Sequence, residues 1–146
     1  MQTHDTPLAV REAFIVESIK QFALENPAVV AVYVFGSFGT PYFSSESDVD
    51  VAILFTRPQT PDHLALMELK FQLERRTGMH IDLVCLNDAS PVIGMQVLKK
   101  GKKIVDKNST LTIEFFVRTV NFYADLKIVR RPIEEKILRE VAHGRS

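Results

Sequence analysis

Two runs, AVVAVYVFG (Ala28–Gly36) and VDVAILF (Val49–Phe55), constrain the fold of this chain more than any other feature. Both are continuous in apolar, largely β-branched residues and show no alternation. That pattern belongs to strands buried on both faces, so helices must pack above and below them. A first amphipathic helix is expected from about Pro7 to Glu25, where Ile15, Ile19 and Phe22 repeat at helical spacing and Val16 and Ala23 widen the face. A second is expected from Thr60-Pro61-Asp62, with Pro61 in its first turn and Asp62 favoured there by the helix dipole. It carries Leu64, Met67 and Phe71 beside Leu66, Leu69 and Leu73, and ends at Gly78. HIDLVCL (His80–Leu86) reads as a third strand, and Ser90-Pro91 caps a short helix that stops at Gly101. KIVD (Lys103–Asp106) reads as a short edge strand. A long helix from about Ser109 to Val129 follows, and Pro132 starts a last one. This order predicts an α/β fold: a small mixed β-sheet flanked by helices, with further helices at the C-terminus and residues 1–146 as one domain.

Composition removes several function classes. Lys plus Arg and Asp plus Glu balance at 18 each, so the molecule has no net field toward nucleic acid or an anionic membrane. Nucleic acid is therefore not the expected direct substrate. No apolar run approaches membrane-spanning length, and MQTHDTPLAV lacks the pattern of a secretory signal. The single cysteine, Cys85, excludes an internal disulfide, which fits a cytoplasmic location. It alternates to the face opposite Asp82 and is expected to be buried, as is Tyr33 within the first strand. His63 and His80 form no spaced set with Cys85, which argues against zinc.

The informative stretch lies between the first two strands, FGSFGTPYFSSESDVDVAILF. Asp48 and Asp50 are two apart at the entrance of a strand, so both side chains point to the same side. Side by side they repel, and a divalent cation removes the repulsion. Hard oxygens suit Mg²⁺, which takes its remaining ligands from water and substrate phosphates. Asp82, inside HIDLVCL, is a third carboxylate. It either pairs with Arg57 or His80, because a buried unpaired charge is costly, or lies beside Asp48 and Asp50 on the adjacent strand. Gly36 ends a buried strand where backbone N–H groups can approach an anion, and the Ser37 hydroxyl can donate to a phosphate oxygen. A helical turn starting at Ser37 would add its own N–H groups. Gly-Ser, ten residues, then Asp-x-Asp arises by chance about once in 10⁵ starting positions, so the combination carries more weight than either half.

On these residues the chain resembles the nucleotidyltransferase superfamily related to DNA polymerase beta, and more closely the minimal nucleotidyltransferases of the MntA antitoxin type. The family pattern of Gly-Ser, about ten residues, Asp-x-Asp and a later-strand Asp falls on Gly36, Ser37, Asp48, Asp50 and Asp82. The run HIDLVCLNDASPVIGMQVLKKGKKIVD and the tail FFVRTVNFYADLKIVRRP extend the likeness to about Val29–Arg131. The resemblance implies the nucleotidyltransferase fold, ATP as substrate, Mg²⁺ (two ions) held by Asp48, Asp50 and Asp82, and phosphates over Gly36 and Ser37. It implies AMP transfer to a tyrosine hydroxyl of a HEPN-type ribonuclease toxin, silencing that toxin, within a hetero-oligomer. Two alternatives use the same features: transfer to a small molecule of aminoglycoside type, and a non-catalytic antitoxin that masks its partner. One departure stands out. Where many relatives carry a small residue, a basic residue and Gly in the loop, this chain has Gly39, Thr40 and Pro41. That removes one phosphate contact, and Pro41 removes an N–H donor.

Two further features are open to either of two readings. KKGKK (Lys99–Lys103) is either a solvated turn or a contact for RNA or an acidic partner. Phe115, Phe116, Val120, Phe122, Tyr123 and Leu126 give the long helix more apolar cover than one face, either for packing inside the fold or for a protein partner.

Overall fold

The computed structural model describes residues 7–44 and 46–143, so the first six residues of the expected non-signal N-terminus lie outside the described residues. The elements in chain order are α1 (Leu8–Glu25), β1 (Val29–Phe35), β2 (Val49–Phe55), α2 (His63–Thr77), β3 (Ile81–Cys85), α3 (Pro91–Lys100), β4 (Lys102–Asp106) and α4 (Ser109–His143). The four strands form one mixed sheet in the order β3-β2-β1-β4. β1 runs antiparallel to both β2 and β4, while β2 and β3 are parallel. A parallel pair needs a crossover, and α2 is that crossover. β4 is an edge strand, as its short mixed sequence suggested.

The continuous apolar strands are covered on both faces. On one face Ile15, Ile19 and Phe22 of α1 and Leu73 of α2 join Val32, Val34, Val49, Val51 and Ile53 in the larger core. On the other, Val97 of α3 and Phe116 of α4 pack with Tyr33, Ala52 and Leu54. Cys85 is buried in the first of these layers. In the second, Tyr33 meets Phe116 edge to face with ring centroids 5.5 Å apart. The close approach of α3 to α4 depends on Gly94, where a Cβ would lie 2.7 Å from Thr119 Cγ2.

Polar groups close the helix ends. The Asp62 carboxylate accepts from the Ala65 N–H at 2.8 Å, so Asp62 is the N-cap of α2 and Pro61 precedes the helix, one step later than the sequence pattern suggested. The Ser90 hydroxyl accepts from the Ile93 N–H and caps α3. Lys107 Nζ donates to the Ala23 and Asn26 carbonyls at 2.7 and 3.0 Å, closing the C-terminal end of α1. Burial pulls the Lys107 pKa down. At the end of β2 the Asn87 amide bonds both the N–H and the carbonyl of Phe55, each at 2.9 Å, so one side chain prolongs the pairing with β3.

The structure settles one open point and corrects one expectation. Of the two apolar rows on α2, Leu66, Leu69 and Leu73 pack on the core, whereas Leu64, Met67 and Phe71 face solvent. The C-terminal helices are one: α4 continues through Pro132 without a second start. Pro132 removes one N–H, but this part of the helix is exposed, so the carbonyl it frees faces water.

Burial, and then the Asp106 carboxylate, push the Tyr33 phenol up to about 12. The usual tyrosine value is about 10, so the folded state holds the proton more tightly than the unfolded chain. The resulting stability is complete below about pH 10 and is lost as pH rises toward 12. Tyr33→Phe keeps the ring packing and should flatten the alkaline limb of a stability–pH curve measured by urea unfolding, a difference of up to about 2 kcal/mol. Identical alkaline limbs would show that Tyr33 ionises freely.

Candidate active site

The sheet topology brings three distant parts of the chain to one edge. β1 is antiparallel to β2, so the end of β1 meets the start of β2, and Phe35 pairs with Asp50. β3 is parallel to β2, so its start lies at the same edge, and Asp50 pairs with Asp82. The Val49 N–H donates to the His80 carbonyl at 2.9 Å and continues this pairing to the rim. Partners in register share a face. Asp50 and Asp82 therefore stand side by side on the α3/α4 face, where Asp50 is half-buried and Asp82 exposed. Asp48, exposed, lies just before β2 on the same side as Asp50.

Gly36 ties the preceding loop to this row. Its φ is +72°, and a Cβ there would lie 1.9 Å from Asp50 Oδ2. Both the backbone conformation and the carboxylate packed against it require glycine. Beyond it the chain makes consecutive turns, with the Thr40 N–H and hydroxyl both donating to the Ser37 carbonyl, at 3.0 and 2.6 Å, and the Phe43 N–H donating to the Thr40 carbonyl at 3.1 Å. No helix starts at Ser37, so anion binding there depends on turn N–H groups and the hydroxyl rather than on a helix dipole.

The loop is anchored by two residues that sequence reasoning passed over. Phe38 and Phe43 are buried, contact each other edge to face at 5.2 Å, and belong to the main core. Three aromatics, Phe38, Tyr42 and Phe43, stand in a stretch otherwise made of small and polar residues, but a loop gives them no periodic spacing to read. Ser44 and Ser47 then form a tight turn, with the Ser44 N–H donating to Ser47 Oγ at 3.0 Å, directly before Asp48.

The electrostatics of the row are unfavourable as it stands. Burial, then the neighbouring Asp82 through its charge and a hydrogen bond, and then Asp48 raise the Asp50 pKa. The expected cost of burying Asp82 does not arise, because β3 is an edge strand and leaves it exposed. Neither ion pair considered for it forms among the described residues; His80 instead lies 3.6 Å from Glu74. Among the described residues, no three His, Cys, Asp or Glu side chains are gathered closely enough to make a ready-made metal cage. An adjacent carboxylate pair with a third on the approach suits a hard cation that completes its shell with water and phosphate oxygens, as Mg²⁺ does. An open cleft of about 720 Å³ lies elsewhere, at the opposite end of β2 between residues 54–60, 86–91 and the first half of α4. Among the described residues, no helix is long and apolar enough to cross a membrane.

Comparison with known proteins identifies the family and the fold. The family described as Polymerase beta, Nucleotidyltransferase matches residues 17–110. Protein adenylyltransferase MntA of Shewanella oneidensis is 30% identical over 116 residues, which cover 80% of this chain and 81% of the relative. A crystal structure of a toxin–antitoxin with AMP-PNP superposes with a TM-score of 0.73 at 29% identity, covering 84% of this chain and 98% of the other. A structure of tri-AMPylated Shewanella oneidensis HEPN toxin in complex with MNT antitoxin gives a TM-score of 0.67 at 28% identity, covering 89% and 98%.

Gly36→Ala should cost about 1–2 kcal/mol from the left-handed backbone alone, read by urea unfolding, and should displace the Asp50 carboxylate. ATP binding, measured by calorimetry with magnesium present, should fall below detection. Unchanged binding would separate Gly36 from the site.

Proposed function

The chain belongs to the polymerase beta nucleotidyltransferase family, and on that premise we propose that it is the antitoxin enzyme of a toxin–antitoxin pair, transferring AMP from ATP to a tyrosine hydroxyl of a HEPN-type toxin. The observation that carries the reading is the single row across the sheet end. Gly36 is packed on Asp50, and Asp82 stands in register beside it. The toxin complexes among its structural neighbours supply the partner and the nucleotide.

Each residue has a task set by its position. The triphosphate lies over the turn at Gly36, which presents backbone N–H groups without a side chain in the way, and the Ser37 hydroxyl donates to a phosphate oxygen. Asp48, Asp50 and Asp82 would hold Mg²⁺, two ions in this reading, which would neutralise the charge of the phosphates. The repulsion within the row favours such an occupant. Asp82, exposed on the edge strand, is open to an acceptor and accepts the hydroxyl proton. The acceptor oxygen forms a bond to the α-phosphorus. The bond from that phosphorus to the bridging oxygen breaks, and its electron pair leaves with pyrophosphate. Water then takes the proton from Asp82.

The test combines the protein with ATP, magnesium and a HEPN-type toxin, and weighs the toxin by intact-mass spectrometry. Gain of whole AMP units on tyrosine is expected. Asp50→Ala should abolish the gain while leaving the melting transition intact. Asp82→Asn should slow it about 10²–10⁴-fold, the usual worth of a positioned base. A complex that forms with no added mass would contradict the assignment and leave masking as the function.

A further inference from the structure

Thr40 and Pro41, where the loop departs from the pattern of many relatives, build a tight turn. The Thr40 hydroxyl donates to the Ser37 carbonyl at 2.6 Å and accepts from the Tyr42 N–H at 3.3 Å. The Phe43 N–H donates to the Thr40 carbonyl at 3.1 Å and closes a four-residue turn over Thr40–Phe43. Pro41 holds the second position, where its fixed φ suits the turn, and Tyr42 holds the third without a positive φ, as in a type I turn. Phe38 before the turn and Phe43 at its end are buried. The turn is therefore pinned on both sides, and Tyr42 stands at its tip, 87% exposed.

This exposure singles Tyr42 out among the three tyrosines of the chain. Tyr33 is buried and packs on Phe116. Tyr123 is half-buried, with the Nζ atoms of Lys99 and Lys127 at 5.8 and 5.4 Å from its ring centre. The Tyr42 hydroxyl has no hydrogen bond among the described residues. Tyrosine is ordinarily part-buried, so a phenol held out in water by a preformed turn is an unusual feature. It is also the functional group that the proposed reaction consumes. An acceptor side chain has to enter a site on another protein, and one displayed by an ordered turn loses little freedom in doing so. Its own site is poorly placed to receive it. Phe38 and Phe43 seat the turn on the α1/α2 layer, whereas Asp50 and Asp82 stand on the opposite face of the sheet. The same row in a second copy is accessible, because Asp82 is exposed on an edge strand.

We propose that Tyr42 is a self-modification site, at which one copy of the chain receives AMP from ATP held by a second copy. The Tyr42 phenolic oxygen forms a bond to the α-phosphorus. The bond from that phosphorus to the bridging oxygen breaks, and its electron pair leaves with pyrophosphate. The phenolic proton passes to the second copy's Asp82 and then to water, and Tyr42 is left carrying AMP through a phosphodiester. This rests on the nucleotidyltransferase reading above and extends its acceptor class to the enzyme itself.

The test mixes a heavy-isotope Asp50→Ala chain, which should lack transfer activity of its own, with the unlabelled wild-type chain, ATP and magnesium. Intact-mass spectrometry and peptide mapping follow both chains. The heavy chain should gain one AMP unit, on the peptide that holds Tyr42. A heavy chain carrying both Asp50→Ala and Tyr42→Phe should gain none, with an unchanged melting transition to show that it is folded. A HEPN-type toxin in a parallel reaction reports whether the wild-type chain is active. AMP on the toxin with none on the heavy chain would overturn the Tyr42 assignment alone, as would AMP retained after Tyr42→Phe or confined to the wild-type chain. AMP on neither protein would overturn the nucleotidyltransferase reading and this assignment with it.

Discussion

The contact between the Asp50 carboxylate and Gly36 is the constraint on which the site depends. It fixes a left-handed turn at the end of β1 against a charged group at the start of β2. It works only because β1 is antiparallel to β2 and β3 is parallel to it, which places the end of one strand and the starts of two others on the same rim. The crossover through α2 is what makes β3 parallel. A shift of register by one residue in either pair would turn a member of the row to the other face.

The row is held in an electrostatically unfavourable state by a core that does not depend on it. Val49 and Val51 flank Asp50 on the opposite face and are buried. Phe38 and Phe43 seat the loop, so Ser37 and Gly36 have little freedom to relax away from the carboxylates. Stability lies in the two apolar layers, which hold Asp50 beside Asp82 and Asp48 despite their repulsion. Sites assembled this way are prepared for charge before it arrives.

Much of this could be read from the sequence, for identifiable reasons. β1 and β2 were legible because continuous β-branched runs have few other uses. α3 was legible because Ser90-Pro91 and Gly101 bracket it. The motif residues stood out by spacing, and register then brought Asp50 and Asp82 together. Three things were not legible. Periodicity could not say which of two apolar rows on α2 faces the core, because both repeat at helical spacing. Pro132 reads as a start signal, yet an exposed helix can run through it. The exposure of Asp82 depends on β3 being an edge strand, and strand order is a property of the assembled sheet. Phe38 and Phe43 were overlooked because loop aromatics carry no periodic signature.

The most direct test of the central claim is to locate the cation. Crystals grown with manganese and AMP-PNP should give anomalous scattering peaks between the carboxylates of Asp50 and Asp82, with Asp48 drawn in and the phosphates lying over Gly36 and Ser37. Peaks elsewhere, or a nucleotide bound in the cleft at the opposite end of β2, would contradict the account.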